Sequence, residues 1–397
     1  MTAPRDEFED RRGLARDFAA QHHAAARNGS PLYADLCRAA SLDLAGSSTL
    51  TDVLAPWSDS RAGDLVPLRV LGAAHRLVLE RRAPALALWF PSVGGTAPSD
   101  ANGRGACYAA WVDALAEYAD RLPALLASPP QTNDPGRAAA LAGALQLVAA
   151  AYGLPVRVHE LGASAGLNLL ADRVRVTWPG GGVGPSGSVL RLHDAWAGAP
   201  LPPDGVTPVV LERIGCDLDP VDVTTTEGRL HLTSFVWPDQ AGRLERLRDA
   251  YRLAEEVPVE LVRADLVEHL RGLRAREGTV LVVWHSSTWF YLSAEQRATA
   301  ERLVQELGAT ATVDAPVVHV AREYLGDTFS SSHALVLRWW PVPATQSAYA
   351  ASSGDPVQYA DSPAHGLPVT WMPPRTSPSH PDRMISAQSP DCADLPG

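Results

Sequence analysis

Residues 156–170, VRVHELGASAGLNLL, constrain this chain more than any other stretch. An alternating apolar run ends in an acid, Glu160. Glycines follow at 162 and 166, and an apolar run resumes at Leu167. The pattern is that of a strand, a tight turn and a helix start, because glycine tolerates the positive φ such a turn requires. A helix N-terminus behind the turn presents backbone N–H groups without helical partners. A chain with this unit is expected to build an open α/β sheet and to bind its ligand at the turn.

The rest of the sequence is consistent with that expectation. Residues 8–27, 31–44, 67–82, 106–127 and 136–152 carry apolar residues at helical spacing, with Asn28-Gly29-Ser30-Pro31 and the proline-rich 129–135 as breaks. From residue 153 short apolar runs take over, at 156–160, 207–214, 257–263, 279–284, 315–321 and 333–340, separated by helical stretches such as 240–255 and 294–307. This alternation predicts βα units and a mainly parallel sheet. Between the first two strands, segments 173–178 and 188–193 flank a glycine-rich stretch and are expected to pair as a hairpin. The expected organisation is a helical region over 1–152, a Rossmann-like domain over 153–372 with an insertion at about 171–206, and a Pro/Ser/Asp-rich tail over 373–397 expected to be disordered.

Composition narrows the chemistry. Every one of the 34 basic residues is arginine. The absence of lysine excludes a P-loop lysine, a Schiff-base lysine, a pyridoxal-phosphate enzyme and a kinase-type lysine. The four cysteines are scattered, which argues against a structural zinc site and a disulfide scaffold. A net charge of −11 with no basic cluster argues against nucleic acid as a partner. No run reaches the ~18 apolar residues of a membrane helix, and the charged N-terminus lacks a signal-peptide core. A cytoplasmic protein acting on a small molecule, with no membrane partner, is the expectation.

Three chemical readings of the turn compete. As a dinucleotide fingerprint it fails, since Ser164 and Leu167 stand where the second and third glycines belong. As Gly162-Ala163-Ser164-Ala165-Gly166 it matches the G-x-S-x-G of a serine hydrolase. That reading needs a histidine, His333 or His365, and an acid, Asp314 or Asp327. With Glu160 in front, it resembles the acid-x-Gly-x-Gly-x-Gly motif of class I S-adenosylmethionine-dependent methyltransferases, with Ser164 at the middle glycine. That resemblance implies S-adenosylmethionine as cofactor and a Rossmann-like methyltransferase fold. Glu160, Gly162, Ser164, Gly166 and Asn168 would hold its methionine end, Asp217 its ribose and Asp265 the region of its adenine. Asp217 or its neighbour Asp219 suits a ribose because an ionised carboxylate accepts from both diol hydroxyls. A non-catalytic scaffold that keeps the fold is the alternative to both enzymatic readings.

The chain from about Asp17 to Trp371 also resembles an uncharacterised bacterial family, domain of unknown function 2332. The resemblance lies in Pro130-Gln131-Thr132-Asn133 with Arg137, residues 160–168, Gly215-Cys216-Asp217, Trp237-Pro238-Asp239-Gln240 and His285-Ser286. It implies an architecture and no particular chemistry. His285 and Ser286, after an apolar strand, are candidates for general base and substrate contact. Trp289 and Tyr291 are candidate pocket walls, although aromatics at this spacing are more often core. Gln131 and Asn133 are candidate substrate contacts or loop caps. Trp237-Pro238-Asp239-Gln240 is a helix start or a cover for the site.

Overall fold

The computed structural model describes residues 7–60, 62–324 and 332–376. Two compact units emerge: residues 1–132 with 225–245, and residues 133–224 with 246–397. The helix Ala138–Tyr152, grouped by sequence with the N-terminal helices, therefore belongs to the second unit. Its Ala/Leu surface is buried on nearly every side, as in a helix fully enclosed by its own domain.

The first unit is helical. Helices Glu7–Arg27, Pro31–Leu44, Thr49–Leu54, Val66–Leu79, Ala101–Glu117 and Thr226–Ser234 surround a core that includes Phe18, Leu50, Leu77 and Trp111. The single long helix expected over 106–127 ends at Glu117 and restarts as a short turn, Leu122–Leu125. Pro123 lies in that turn, and proline disfavours helical geometry in the residue before it. The Trp237–Gln240 stretch clamps the first helix–helix corner. Ser30 caps the second helix through Tyr33 N–H (3.2 Å) and donates its own hydroxyl to Asp239 Oδ1 (2.6 Å). Asp239 Oδ2 accepts from Leu32 N–H at 3.0 Å, and Gln240 Nε2 donates to Asn28 O at 2.7 Å. The Trp237 ring lies 6.0 Å from that of Tyr33.

The second unit is built on sheets. Its strands are β1 (Val156–Leu161), β2 (Arg175–Trp178), β3 (Gly181–Val183), β4 (Arg191–Leu192), β5 (Trp196–Gly198) and β6 (Val210–Asp217), followed by β7 (Glu260–Arg263), β8 (Val280–Ser286), β9 (Val317–Tyr324), β10 (Ser332–Trp340), β11 (Val357–Pro363) and β12 (Val369–Thr376). Nine form one sheet in the order β5-β12-β11-β10-β9-β8-β1-β6-β7. Pairing is parallel from β7 through β9, antiparallel from β9 through β12, and parallel again between β12 and β5. The chain is thus a mixed α/β protein with a large, mostly parallel central sheet.

Several expected boundaries move for one physical reason. β6 and β7 each begin three residues later than their apolar patterns, after Pro208 and Pro258, which have no N–H to give a ladder. The insertion folds differently from expectation. β2 pairs antiparallel with β3 across a Pro179-Gly180 turn, while β4 lies parallel on its other side, so 188–193 is not the hairpin partner. The main sheet also continues past the expected domain end, with β12 running through Pro373 and Pro374 to Thr376. Residues 377–397 of the expected tail lie outside the described residues. Among the described residues, no helix is long and apolar enough to cross a membrane.

Candidate functional site

Strand order reverses at β1. β6 and β7 extend the sheet on one side of it, β8 and β9 on the other. In open parallel sheets the crevice for ligands lies beyond the carboxyl ends of the two strands at such a reversal. Here those ends are Glu160-Leu161 of β1 and Trp284-His285-Ser286 of β8, in register as Glu160↔Trp284 and Leu161↔His285.

The glycine turn sits on this crevice and is fastened to β6. Gly162 N–H and Ala163 N–H both donate to Cys216 O (2.9 and 3.0 Å). Ser164 N–H donates to Asp217 Oδ2 at 2.7 Å, and Val221 N–H to Ser164 O at 3.1 Å. Gly162, Ser164 and Gly166 all have left-handed φ, at 70°, 52° and 69°. Packing within the protein already explains the two glycines. A Cβ at 162 would come 2.7 Å from Thr288 Cγ2, and one at 166 would come 2.8 Å from Val259 Cγ1. Gly215 has the same kind of role, since its Cβ would meet that of Ala163 at 2.5 Å. Behind the turn the chain forms a short 3-10 helix, Leu167–Arg173, whose first N–H donates to Asn133 Oδ1 at 2.7 Å. Asn133, a candidate substrate contact, therefore holds the turn in place.

The three acids of the expected cofactor cradle stand at the carboxyl ends of three neighbouring strands. Glu160 is buried and gives one oxygen to Trp284 Nε1–H at 3.0 Å. Its other oxygen, Oε2, has no partner among the described residues. Burial pushes its pKa up to about 8, partly offset by the Trp284 bond, the charge of Arg137 and the nearby Asn168 side chain, so the carboxyl is largely neutral at pH 7. Asp217 is half-buried and accepts from Ser164 N–H and from Asp219 N–H (2.9 Å), one bond on each oxygen. Asp265 caps the helix Leu266–Gly272 through Val267 N–H at 2.8 Å, leaving its second oxygen. Asp219 is exposed and ion-paired with Arg263 at 2.8 Å. Two further atoms at the turn, Ser164 Oγ and Asn168 Oδ1, are buried with no partner among the described residues.

Beyond β1 the two faces of the sheet carry different polar sets. On one face His285 is fully enclosed. Its Nδ1–H donates to Glu323 Oε1 (2.7 Å), its Nε2 lies 3.0 Å from His319 Nε2, and its ring stacks on Trp289 at 3.7 Å. Glu323 Oε1 also accepts from Thr288 N–H at 2.9 Å. Burial, with the nearby charges of His285 and Arg338, pushes the His319 pKa well down, so that ring is neutral. The candidate base His285 thus has both ring nitrogens engaged and no exposed edge. Trp289 walls this buried network, whereas Tyr291 is 54 % exposed.

The other face carries a polar stripe across five strands, β1 and β8 to β11. The register aligns Glu160 with Trp284, Ser286 with Arg322, Tyr324 with His333, and His333 with Ser362. Arg322 is entirely buried. It donates to Ser362 Oγ (2.8 Å), to Ser286 Oγ (3.1 Å) and to Pro363 O. The candidate Ser286 is therefore tied to Arg322. At the end of β8, Ser287 Oγ lies 3.0 Å from His333 Nε2, and the Tyr324 ring packs 3.9 Å from that histidine. Neither Arg322 nor Ser287 stood out in the sequence. The signal was present in β9, where Arg322 and Glu323 stand side by side in a buried strand, a placement charged residues rarely take unless partnered.

The remaining candidates separate. Gln131 belongs to the helical unit. Asp314, a possible triad acid, is exposed, and its carbonyl accepts from Gly278 N–H (2.7 Å), which places it at the amino end of β8, across the sheet from Ser164. Asp327 lies outside the described residues. His365 pairs instead with Asp134, 3.5 Å away.

Comparison with known proteins places the chain in a family. A model described as an uncharacterized protein conserved in bacteria, domain of unknown function 2332, matches residues 15–371, and the chain belongs to that family. No curated protein matches it.

Proposed function

We propose that this member of the family binds S-adenosylmethionine over the 162–166 turn and transfers its methyl group to a small molecule. One observation carries the reading: a glycine turn at the strand-order reversal, with carboxyl groups at the ends of β1, β6 and β7. The donor set fits such a cofactor. Asp217 and Asp265 each use backbone N–H groups for only part of their acceptor capacity, and ribose hydroxyls or an adenine amine would take the rest. Glu160 Oε2, Ser164 Oγ and Asn168 Oδ1 are buried polar atoms that a ligand at the turn would satisfy.

When bound, the cofactor supplies an activated methyl group on a sulfonium. The chain contributes orientation of the acceptor and exclusion of water, which is where most of the acceleration of such a transfer arises. With His285 locked between Glu323 and His319, the reading assigns it a positioning role beneath the crevice and names no side chain as proton acceptor. Isothermal calorimetry with S-adenosylhomocysteine is expected to show binding that weakens about tenfold, or ~1.4 kcal/mol, in Asp217→Asn. No binding at millimolar ligand would discard the reading.

Ser164 keeps a second reading in play. Its left-handed φ of 52° is the strained geometry a hydrolase elbow uses. Against it, Ser164 Oγ touches no histidine among the described residues. Labelling by a fluorophosphonate probe that is lost in Ser164→Ala would favour hydrolysis over methyl transfer.

A further inference from the structure

The polar stripe holds a cation that its own surroundings leave incompletely met. Arg322 is 0 % exposed, yet all three of its hydrogen bonds go to neutral oxygens, of Ser286, Ser362 and Pro363. No carboxylate lies within ion-pair distance of it among the described residues. A guanidinium has five N–H donors, so two remain. A buried cation without an anion is costly, and natural proteins pair or neutralise such groups. Burial, followed by the repulsion of Arg137, lowers the Arg322 pKa to about 9, which still leaves it charged at neutral pH.

Arg137 is the second cation of this region. It is half-buried, and the one hydrogen bond of its guanidinium among the described residues, Nε–H to Ala364 O, is long at 3.4 Å. Arg322 donates to Pro363 O and Arg137 to the next carbonyl, Ala364 O, so the two guanidinium groups meet at the end of β11. The carboxylates nearby are engaged in part, and Glu323 Oε2 is buried with no partner among the described residues. Asp134 accepts from Gly136 N–H (3.0 Å) and sits 3.5 Å from His365, while one Glu323 oxygen takes His285 and Thr288. Glu160 is largely neutral at pH 7. Two guanidinium groups therefore share one part of the unit, and although the charges of Glu323 and Asp134 act on Arg322, neither guanidinium has an ion-paired carboxylate among the described residues.

We infer that Arg137 and Arg322 form a binding site for a carboxylate carried by a small-molecule ligand. The two N–H groups left on Arg322 match the two oxygens of one carboxylate, and the planar guanidinium fork favours that geometry over a point contact. Arg137, at the accessible side, closes the pair. The site stands on these residues whichever reaction the turn supports. It deepens the methyl-transfer reading in one respect, because the carboxylate has two possible sources: the amino-acid end of S-adenosylmethionine or the acceptor substrate.

Thermal unfolding and calorimetry of the full chain test this. Acetate, succinate or benzoate at about 50 mM, enough to fill a millimolar site, is expected to raise the melting temperature above a chloride control of equal ionic strength. Arg137→Gln should weaken that binding at least about tenfold. It is half-buried, so its fold is expected to survive, with circular dichroism as the check, whereas Arg322→Met serves only if it folds. The inference is overturned if none of the three carboxylates stabilises beyond chloride, if the Arg137→Gln variant binds them equally well, or if inorganic phosphate alone binds. A second arm compares S-adenosylmethionine with its decarboxylated form. A loss on decarboxylation that vanishes in Arg137→Gln supports the site and assigns it to the cofactor. Equal binding of the two forms, with acetate still bound in their presence, supports the site and assigns it to the substrate. Carboxylate binding that depends on Arg137, with no S-adenosylmethionine binding at all, keeps this site and removes the methyl-transfer reading.

Discussion

Two stretches that look equally distinctive in the sequence differ once their hydrogen bonds are followed. Around Trp237-Pro238-Asp239-Gln240 the polar groups close on their own unit: both Asp239 oxygens, the Gln240 amide and the Ser30 hydroxyl are engaged with one helix corner. Around the 162–166 turn and the ends of β1 and β9, buried polar atoms are left over on Glu160, Ser164, Asn168 and Glu323. The first is a clamp and needs no ligand to explain it. The second is a region whose polar groups are only partly satisfied by the protein, and such groups call for a specific explanation. A short motif does not distinguish the two cases; the accounting of donors and acceptors does.

Mutations that treat the two regions alike should expose the contrast. The largest effect is expected at the clamp. Asp239→Ala removes two charge-assisted bonds and should lower unfolding free energy by ~2–4 kcal/mol in urea titration. A loss under about 0.5 kcal/mol would mean the clamp is decorative.

At the turn, Glu160→Gln should change the pH dependence of stability. The folded pKa of about 8 lies above the ordinary value of 4.5, so the wild-type contribution is full below about 4.5 and is lost as pH rises to about 8. The glutamine variant should lack this decline and be the more stable protein at pH 9. Parallel pH profiles for the two proteins would remove the buried neutral carboxyl from the description.

Smaller effects should follow at the other residues. Asp265→Ala loses one helix cap and should cost about 1 kcal/mol, read by thermal unfolding. Ser164→Ala, whose hydroxyl has no partner among the described residues, should stay within about 0.5 kcal/mol of wild type. A drop of several kcal/mol there would show that Ser164 Oγ is bonded after all, and the contrast between the two regions would fail at that point.

Much of the frame was legible because its signals are local. The change from helical to strand period at residue 153, the glycine turn and the strands through Trp340 follow from apolar spacing and turn chemistry. What was missed depends on pairing across distance. β11 and β12 contain prolines and a broken apolar pattern, and their strand character comes from neighbours that complete the ladder. The site shows the same division. Glu160 and Asp217 stand out as candidates in the sequence because each lies at the end of an apolar run. Enclosure of His285 depends on His319 and Glu323, and the place of Arg322 depends on Ser286 and Ser362, residues brought together only by sheet register.

The pairing of β5 with β12 has a consequence for assembly in time. Trp196 emerges early from the ribosome, but its ladder partner Val369 is made almost at the end of the described chain. Until then β5 has no ladder partner, and the free edge of β11 stays open to any passing strand. Sequence-distant contacts of this kind slow the search for the native arrangement. The last strand therefore acts as a latch, and nascent chains halted before residue 369 should be the aggregation-prone species of this protein.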